Sequence, residues 1–429
     1  MNEIKKLYNQ FLLSDGVSTD TRGDVHNKIF FALSGDNHNG NSYTEEAIKK
    51  GARFCVIDDS TYSPEGDNYI LVPDALNELQ ELASYHRKQS NAIVLAITGS
   101  NGKTTTKELI SSVLSNYTEI ISTKGNFNNH IGVPLTLLTI KPSTKIAVIE
   151  MGANHIGEIN RLCEITKPDI GIITNIGKAH LEGFGSFEGV IEAKNELYNY
   201  LKKTRGHAIV NSNDELLVKL SHNIRQTTYG LNNAIVEGEI INTKPFLKIN
   251  WGYNENIHRC NSKMFGNYNF NNILAAIATG LYFNVPEQII NDSIENYIPQ
   301  NNRSQKLKTK SNRIIMDAYN ANPYSMVEAI TSFTECDYDN PWLLLGDMFE
   351  LGKYSFEEHQ AIVELIINSG FKNVILIGEE FNKITNHRYI SYVSTDEALT
   401  HLQKDKITNS DILVKGSRGM KLEKLLIAL

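Results

Sequence analysis

Cysteine is scarce: 429 residues contain four, Cys55, Cys163, Cys260 and Cys336, scattered and without CxxC spacing. This excludes a disulfide framework and fits a reducing compartment, the cytoplasm, with each thiol a small buried hydrophobe. Long apolar runs are missing too. No stretch approaches the roughly 18 residues of a bilayer-spanning helix, so no membrane insertion is expected. Met1 to Phe11 carries Lys5 and Lys6 but no apolar core of signal-peptide length. Positive charge is not in excess. With 42 Lys and Arg against 49 Asp and Glu, the net charge is -7 and the pI about 6.0. That argues against nucleic acid or an anionic membrane as the main partner and leaves room for a local basic site for phosphates.

What remains, 41% hydrophobic and 21% charged residues, is the composition of an ordinary globular protein. The length implies two or three domains. No internal repeat or low-complexity tract is visible, and Asn is so common that one matching Asn carries little weight.

Residues 1–85 alternate short apolar runs with polar turns. Lys28–Leu33, Phe54–Ile57 and Tyr69–Val72 read as strands, and Glu45–Gly51 as a helix closed by a C-cap glycine. Asp74–Gln89 reads as a helix leading into a second unit, 86–298. Apolar runs at Ala92–Thr98, Ile146–Glu150, Ile170–Thr174 and Ala208–Val210 alternate there with helical stretches, the pattern of a parallel sheet covered on both faces. Residues 235–265 read as hairpins and Asn271–Phe283 as helix. In a third unit, 299–429, the runs Ile314–Met316, Trp342–Leu345, Val374–Ile377 and Ile412–Val414 each end at a polar residue or glycine. Ligands collect at such strand ends.

Gly99-Ser100-Asn101-Gly102-Lys103-Thr104 lies between a strand and a helix. Glycines let backbone N–H groups turn toward an anion, and the helix N-terminus adds its dipole. Lys103 would reach the β/γ-phosphates of ATP, and the Thr104 hydroxyl would take Mg²⁺. The widespread GxxxxGK[ST] loop needs glycine at position 97, which is Ile97 here. The chain has the compact GxxGK[ST] form, followed by Thr105 and Thr106.

The stretch Ile97–Glu108 resembles the ATP loop of the Mur ligases, which build the peptide of the peptidoglycan precursor. Folylpolyglutamate synthases and cyanophycin synthetases share the compact loop. The resemblance extends along the chain in order. Glu150, in Ile149-Glu150-Met151-Gly152, ends a strand where a hard cation shared with phosphates would sit. His180, in Asn175-Ile176-Gly177-Lys178-Ala179-His180-Leu181-Glu182, matches the family's metal-binding segment. Lys194, in Glu192-Ala193-Lys194-Asn195-Glu196, matches the lysine that carries a carbamate in most of the family. CO₂ adds only to a neutral amine, so that role requires a desolvated lysine.

Asn269 and Asn272, one helical turn apart, match the adenine side, although Tyr268 stands where the family has His. Arg303 and Asp317 match the phosphate and ribose contacts. Three phrases resemble the D-alanyl-D-alanine-adding branch: Asp317-Ala318-Tyr319-Asn320-Ala321-Asn322-Pro323, Leu345-Gly346-Asp347-Met348-Phe349-Glu350-Leu351-Gly352, and the substrate loop from Thr123 to Pro134 with Asn126, Asn128 and Asn129. No D-N-P-R phrase of the third-residue ligases is present. Ser18-Thr19-Asp20-Thr21-Arg22 resembles the UDP-binding domain, while Asn39-Gly40-Asn41-Ser42-Tyr43 departs from the acidic-x-His-x-aromatic stretch of many relatives.

The resemblance implies a three-domain α/β architecture: a UDP-binding first domain, a central P-loop ATPase domain with a parallel sheet, and a Rossmann-like C-terminal domain binding the incoming dipeptide. It implies a monomer that uses ATP, two Mg²⁺ and carbamylated Lys194 to join D-alanyl-D-alanine to a UDP-N-acetylmuramoyl-tripeptide. Lys103, Glu150, His180 and Lys194 would be catalytic, with Thr104 joining the last three at the metals. Tyr319, Asn320, Asn322, Lys415 and Arg418 would contact substrate. A folylpolyglutamate-type ligase is disfavoured by the first domain and the YNANP phrase, and a P-loop switch by the absent glycine and the lack of a second nucleotide signature.

Overall fold

Strand burial explains the architecture. In the computed structural model, which describes residues 3–35, 38–62, 67–385 and 388–429, neighbouring residues of the main strands point into different cores. Val94 and Ala96 face one cluster and Leu95 and Ile97 another; Leu343 and Leu345 oppose Leu344 in the same way. A strand apolar on both faces needs cover on both, and helices provide it.

Three larger sheets result. Val17–Ser18, Ile29–Phe31, Phe54–Ile57 and Tyr69–Leu71 form a parallel sheet of four strands. The central sheet has nine, ordered Asn256–Asn261, Lys248–Tyr253, Val236–Asn242, Arg225–Gly230, His207–Asn211, Ile170–Ile173, Ile93–Thr98, Ile146–Glu150 and Ile120–Ser122. It is parallel from Val236–Asn242 onward, and the two strands beyond are antiparallel. The last sheet has six strands, ordered Gln305–Lys308, Asn312–Asp317, Ser410–Lys415, Pro341–Gly346, Asn373–Ile377 and Ile390–Tyr392, with only the first pairing antiparallel.

The apolar runs read from sequence all form strands. Ile120–Ser122, Arg225–Gly230, Gln305–Lys308 and Ile390–Tyr392 were not legible, because they are short, polar or half exposed and gain their pairing from neighbours. Helix Ala75–Gln89, capped by Asp74 through the Asn77 N–H, runs past residue 85. Its Leu79, Leu82 and Ala83 share a core with Val94 and Ile149, so the first sheet and the central one are packed through it. Cys55, Cys163 and Cys260 are buried free thiols as expected; Cys336 is only half buried, its Sγ donating to the Ser332 carbonyl.

Helix Phe187–Thr204, which carries Lys194, lies close on the central sheet because Gly171 has no side chain. A Cβ there would sit 2.7 Å from Leu201 Cδ1 and 3.1 Å from Leu197 Cδ2. Gly171→Val should overpack this contact and cost about 1–3 kcal/mol, read as a lower thermal unfolding midpoint. An unchanged midpoint would show that the helix can move off the sheet freely.

Candidate active site

Strand Ile93–Thr98, buried from Val94 onward, runs into the glycine loop, and helix Lys103–Ser115 leaves it. Gly99 has φ 144° and a Cβ there would meet Thr174 Oγ1 at 2.0 Å; Gly102 has φ 78° and a Cβ there would meet Asn272 Oδ1 at 2.5 Å. Both positions therefore exclude any other residue. Asn175 holds the loop: its carbonyl accepts from the Ser100 N–H at 3.0 Å and its Oδ1 from the Asn101 N–H at 3.0 Å. Those two amides are thus occupied, and the N–H groups left for an anion are those of the helix first turn. Lys103 Nζ donates to the Gly99 and Ser100 carbonyls at 2.6 and 3.1 Å. Burial pushes its pKa down to about 8, and the Arg303 charge adds to this while Glu150 opposes it.

Glu150, 2% exposed, ends the neighbouring strand. Its Oε1 accepts from Thr104 Oγ1 at 3.1 Å and from Asn128 Nδ2 at 2.8 Å. Its Oε2 is buried with no partner among the described residues. A buried carboxylate oxygen without a donor is costly, and a hard cation shared with phosphate oxygens satisfies it.

The other two expected metal positions stand apart. His180 Nδ1 is in ion-pair contact with Glu350 of the C-terminal segment, and this contact pulls the Glu350 carboxyl below its usual range. Lys194, 1% exposed, lies behind the cavity wall, its Nζ 3.4 Å from the Ala153 carbonyl and 5.0 Å from the centre of the Phe184 ring. Burial, and next the charge of Lys103, push its pKa down to about 7. Among the described residues no three His, Cys, Asp or Glu side chains converge as a metal cluster. Of the expected set, Thr104, Glu150 and His180 line one cavity, with Thr104 and Glu150 in direct contact, while Lys194 lies behind its wall.

Asn269 and Asn272 do share a helix face, and both are committed within the chain. Thr106 Oγ1 donates to Asn272 Oδ1 at 3.0 Å, Asn272 Nδ2 to Asn269 Oδ1 at 3.0 Å, and Asn269 Nδ2 to the Phe265 carbonyl at 2.7 Å. Tyr268, in place of the family's His, shares a 2.7 Å hydrogen bond with Ser304 Oγ. Arg303 lies 3.8 Å above the Tyr319 ring, with its Nε buried and unpartnered among the described residues.

Asp317 accepts from the Ser304 N–H at 2.8 Å and from Lys415 Nζ at 2.5 Å. Lys415 is thereby a buried counter-ion of Asp317 that also lines the cavity. Strand Asn312–Asp317 pairs in parallel with Ser410–Lys415, which sets the two ends side by side. Arg418 pairs with Glu423 at 3.1 Å and lies 5.8 Å from the Tyr319 ring centre. Asn322 caps helix Pro323–Thr334, and its Nδ2 reaches across to Asn101 Oδ1 at 2.7 Å.

These residues enclose a cavity of about 1350 Å³, whose walls also include Asn126, Asn128, Asn129 and Asn320. Asn129 Oδ1 accepts from the Ile131 and Gly132 N–H groups where the next helix begins. Ser18, Thr19, Asp20, Thr21 and Arg22 lie outside these walls, with Asp20 and Arg22 paired to each other at 2.8 Å. Asn175 and Glu350 were not singled out from the sequence, though each lies inside a phrase quoted for another residue. Asp214, Arg161 and Glu328, also in the walls, carry no local signal.

Residues 97–280 match the Mur ligase middle domain, and residues 302–418 match the domain described as Mur ligase, glutamate ligase domain. The chain is 37% identical over 419 residues to the UDP-N-acetylmuramoyl-tripeptide–D-alanyl-D-alanine ligase of Buchnera aphidicola subsp. Baizongia pistaciae, covering 95% of this chain and 90% of that one. It is 33% identical to the Bacillus subtilis enzyme of the same name, covering 96% and 92%. The crystal structure of MurF from Acinetobacter baumannii superimposes with a TM-score of 0.85 at 28% identity, covering 96% of this chain and 92% of that one.

The buried Lys194 generates a pH prediction. Its folded-state pKa, about 7, lies below the ordinary 10.5, so the folded state resists protonation and the charged form is destabilising. Lys194→Met should therefore raise the thermal midpoint most at and below pH 7. Above that pH the gap should narrow by about 1.4 kcal/mol per unit as the wild type sheds its proton. A gap independent of pH between 6 and 9 would mean the lysine is not desolvated.

Proposed function

This chain belongs to the Mur ligase family, and we propose that it uses ATP to join D-alanyl-D-alanine to the terminal carboxylate of a UDP-N-acetylmuramoyl-tripeptide, giving the pentapeptide precursor of peptidoglycan. The observation that carries this reading is the junction at the main cavity. A compact phosphate loop and the unpartnered Glu150 oxygen face the Tyr319-Asn320-Ala321-Asn322 phrase, tied to the loop through Asn322 and Asn101. The tripeptide carboxylate attacks the γ-phosphorus of ATP, giving an acyl phosphate and ADP. The dipeptide amine then attacks the acyl carbon, and the tetrahedral intermediate collapses to amide and phosphate.

The chain's own groups fit this sequence. Lys103, on leaving its two loop carbonyls, neutralises charge on the transferring phosphoryl group, and first-turn amides of its helix bind phosphate oxygens. Arg303, held flat on Tyr319, offers a pre-oriented guanidinium to the same charge. Asp317, ion-paired to Lys415, keeps capacity to accept from ribose hydroxyls, and Asn269 and Asn272 back the loop from the adenine side. Thr104 and Glu150 would hold one Mg²⁺, for which the unpartnered carboxylate oxygen is the fit. His180, released from Glu350, and a carbamate on Lys194 would hold the second. A pKa near 7 supplies the neutral amine that CO₂ requires. Two Mg²⁺ would contribute charge neutralisation at the phosphoryl oxygens.

Asn126, Asn128 and Asn129 would position the muramyl peptide, Ser18 to Arg22 the UDP, and Tyr319, Asn320 and Arg418 the dipeptide. Residues 1–85, 86–298 and 299–429 would serve as UDP, ATP and dipeptide domains. The chain would work in the cytoplasm as a monomer, and no helix among the described residues is long and apolar enough to cross a membrane.

Phosphate release should require ATP, UDP-muramyl tripeptide and D-alanyl-D-alanine together, with single amino acids nearly inert. Lys103→Ala should lower the rate by at least about 10²-fold while the chain still folds. Ligation of lysine, diaminopimelate or glutamate at equal rates would place the chain in another branch.

Lys194→Ala and Lys194→Arg should both be nearly inactive, because neither can carry an anionic ligand. Millimolar formate at fixed ionic strength should partly restore the alanine variant, whose vacated space admits a small carboxylate. In the wild type, ¹³C-bicarbonate should give a carbamate carbon resonance that Lys194→Arg lacks. Full activity in Lys194→Ala would end the carbamate assignment.

A further inference from the structure

A second cavity, of about 490 Å³, lies at the opposite end of the central sheet from the phosphate loop. Its size falls within the roughly 300–1,000 Å³ of small-molecule sites. It opens where strands Ile170–Ile173, His207–Asn211 and Arg225–Gly230 begin and where helices Ala75–Gln89, Glu158–Thr166 and Phe187–Thr204 end. Nothing in the ligation chemistry uses it.

Its walls carry five cations, Arg87, Lys88, Lys167, Arg205 and Arg225, against the single carboxylate of Asp169, in a chain whose net charge is -7. Helix C-termini attract cations, and part of the cluster serves that end. Arg87 is spent this way: its guanidinium donates to the Thr166 carbonyl at 2.9 Å, the Lys167 carbonyl at 3.2 Å and Asp169 Oδ2 at 2.9 Å. The other four make no ion pair among the described residues, although Arg225 donates to the Arg205 carbonyl. Four helix ends, that of Asn269–Tyr282 included, supply about half a negative charge each, so four cations still leave a surplus.

The surplus is felt within the cluster. Lys167 Nζ rests on Ser84 Oγ at 2.6 Å, and burial and the charges of Lys88 and Arg87 lower its pKa, with Glu81 opposing. His207 is lowered by burial and by Arg225, while its ring lies 4.5 Å from that of Tyr282. Mutually repelling cations around a cavity are relieved by a multivalent anion, and Arg and Lys are the residues that bind phosphate. Tyr200 and Tyr282 add an aromatic wall.

We propose that this cavity binds a phosphorylated small molecule, its diphosphate or triphosphate held by Lys88, Lys167, Arg205 and Arg225 and any organic part laid against Tyr200 and Tyr282. The full chain would be titrated calorimetrically with inorganic pyrophosphate and, separately, with ADP. Lys88→Glu combined with Arg225→Glu, both exposed and remote from the active site, should remove one bound ligand per chain or weaken it at least tenfold. Basal ligation and the circular dichroism spectrum should be unchanged. Arg205→Glu should give the same loss, so failure of one variant to fold does not decide the matter. Tighter binding of ADP than of pyrophosphate at the site that these changes remove identifies a nucleotide; equal binding identifies the phosphate group alone. Stoichiometry and affinity unaltered by the charge reversals, for both ligands, would overturn the proposal.

Discussion

Charge taken out of water at the carboxyl edge of the central sheet is the constraint around which this molecule is arranged. Lys103, Glu150 and Lys194 are all desolvated there, and the positive charge of Lys103 bears on Lys194. Buried ions are costly unless paired and hydrogen-bonded. Glu150 has two donors on one oxygen and none on the other, while Lys103 makes do with two neutral carbonyls. The site is therefore short of a cation at one point and of an anion at another. A metal–polyphosphate would supply both together and so would complete groups that the chain alone leaves half satisfied.

The second half of the site comes from the C-terminal sheet, and its attachments are specific. Asn322 bonds the phosphate loop through Asn101, Glu350 takes the His180 imidazole, and Lys178 pairs with Glu358 at 3.4 Å. The first two join strand-end loops of the two sheets, and the third joins such a loop to helix Ser355–Asn368. Such polar ties are easily exchanged for ligand contacts, whereas the apolar cores beneath stay closed. The two ends of the central sheet also differ in sign: the carboxyl end mixes acids and bases around the active site, and the amino end gathers unneutralised cations. Strand Ile170–Ile173 spans both, since it begins beside Asp169 and runs into Thr174 and Asn175, which brace the phosphate loop.

Much of this was legible in the linear chain, and for local reasons. The path Ile93–Thr98, Gly99, Gly102, Lys103 is written in consecutive residues, as are the buried strand that ends at Glu150 and the helical pairing of Asn269 with Asn272. Apolar runs and glycine punctuation determine where strands stop, and ligands gather where parallel strands stop. The tertiary structure decided which partners those residues meet. Lys415 became the counter-ion of Asp317, His180 met Glu350, Asn272 closed over Gly102, and Lys194 was sealed behind Phe184. The five cations of the far cavity, dispersed from Arg87 to Arg225, gathered only when helix ends met strand starts. Spacing along a chain encodes backbone course within one element, but burial, ion pairing and proton affinity depend on groups from other elements that only packing brings near.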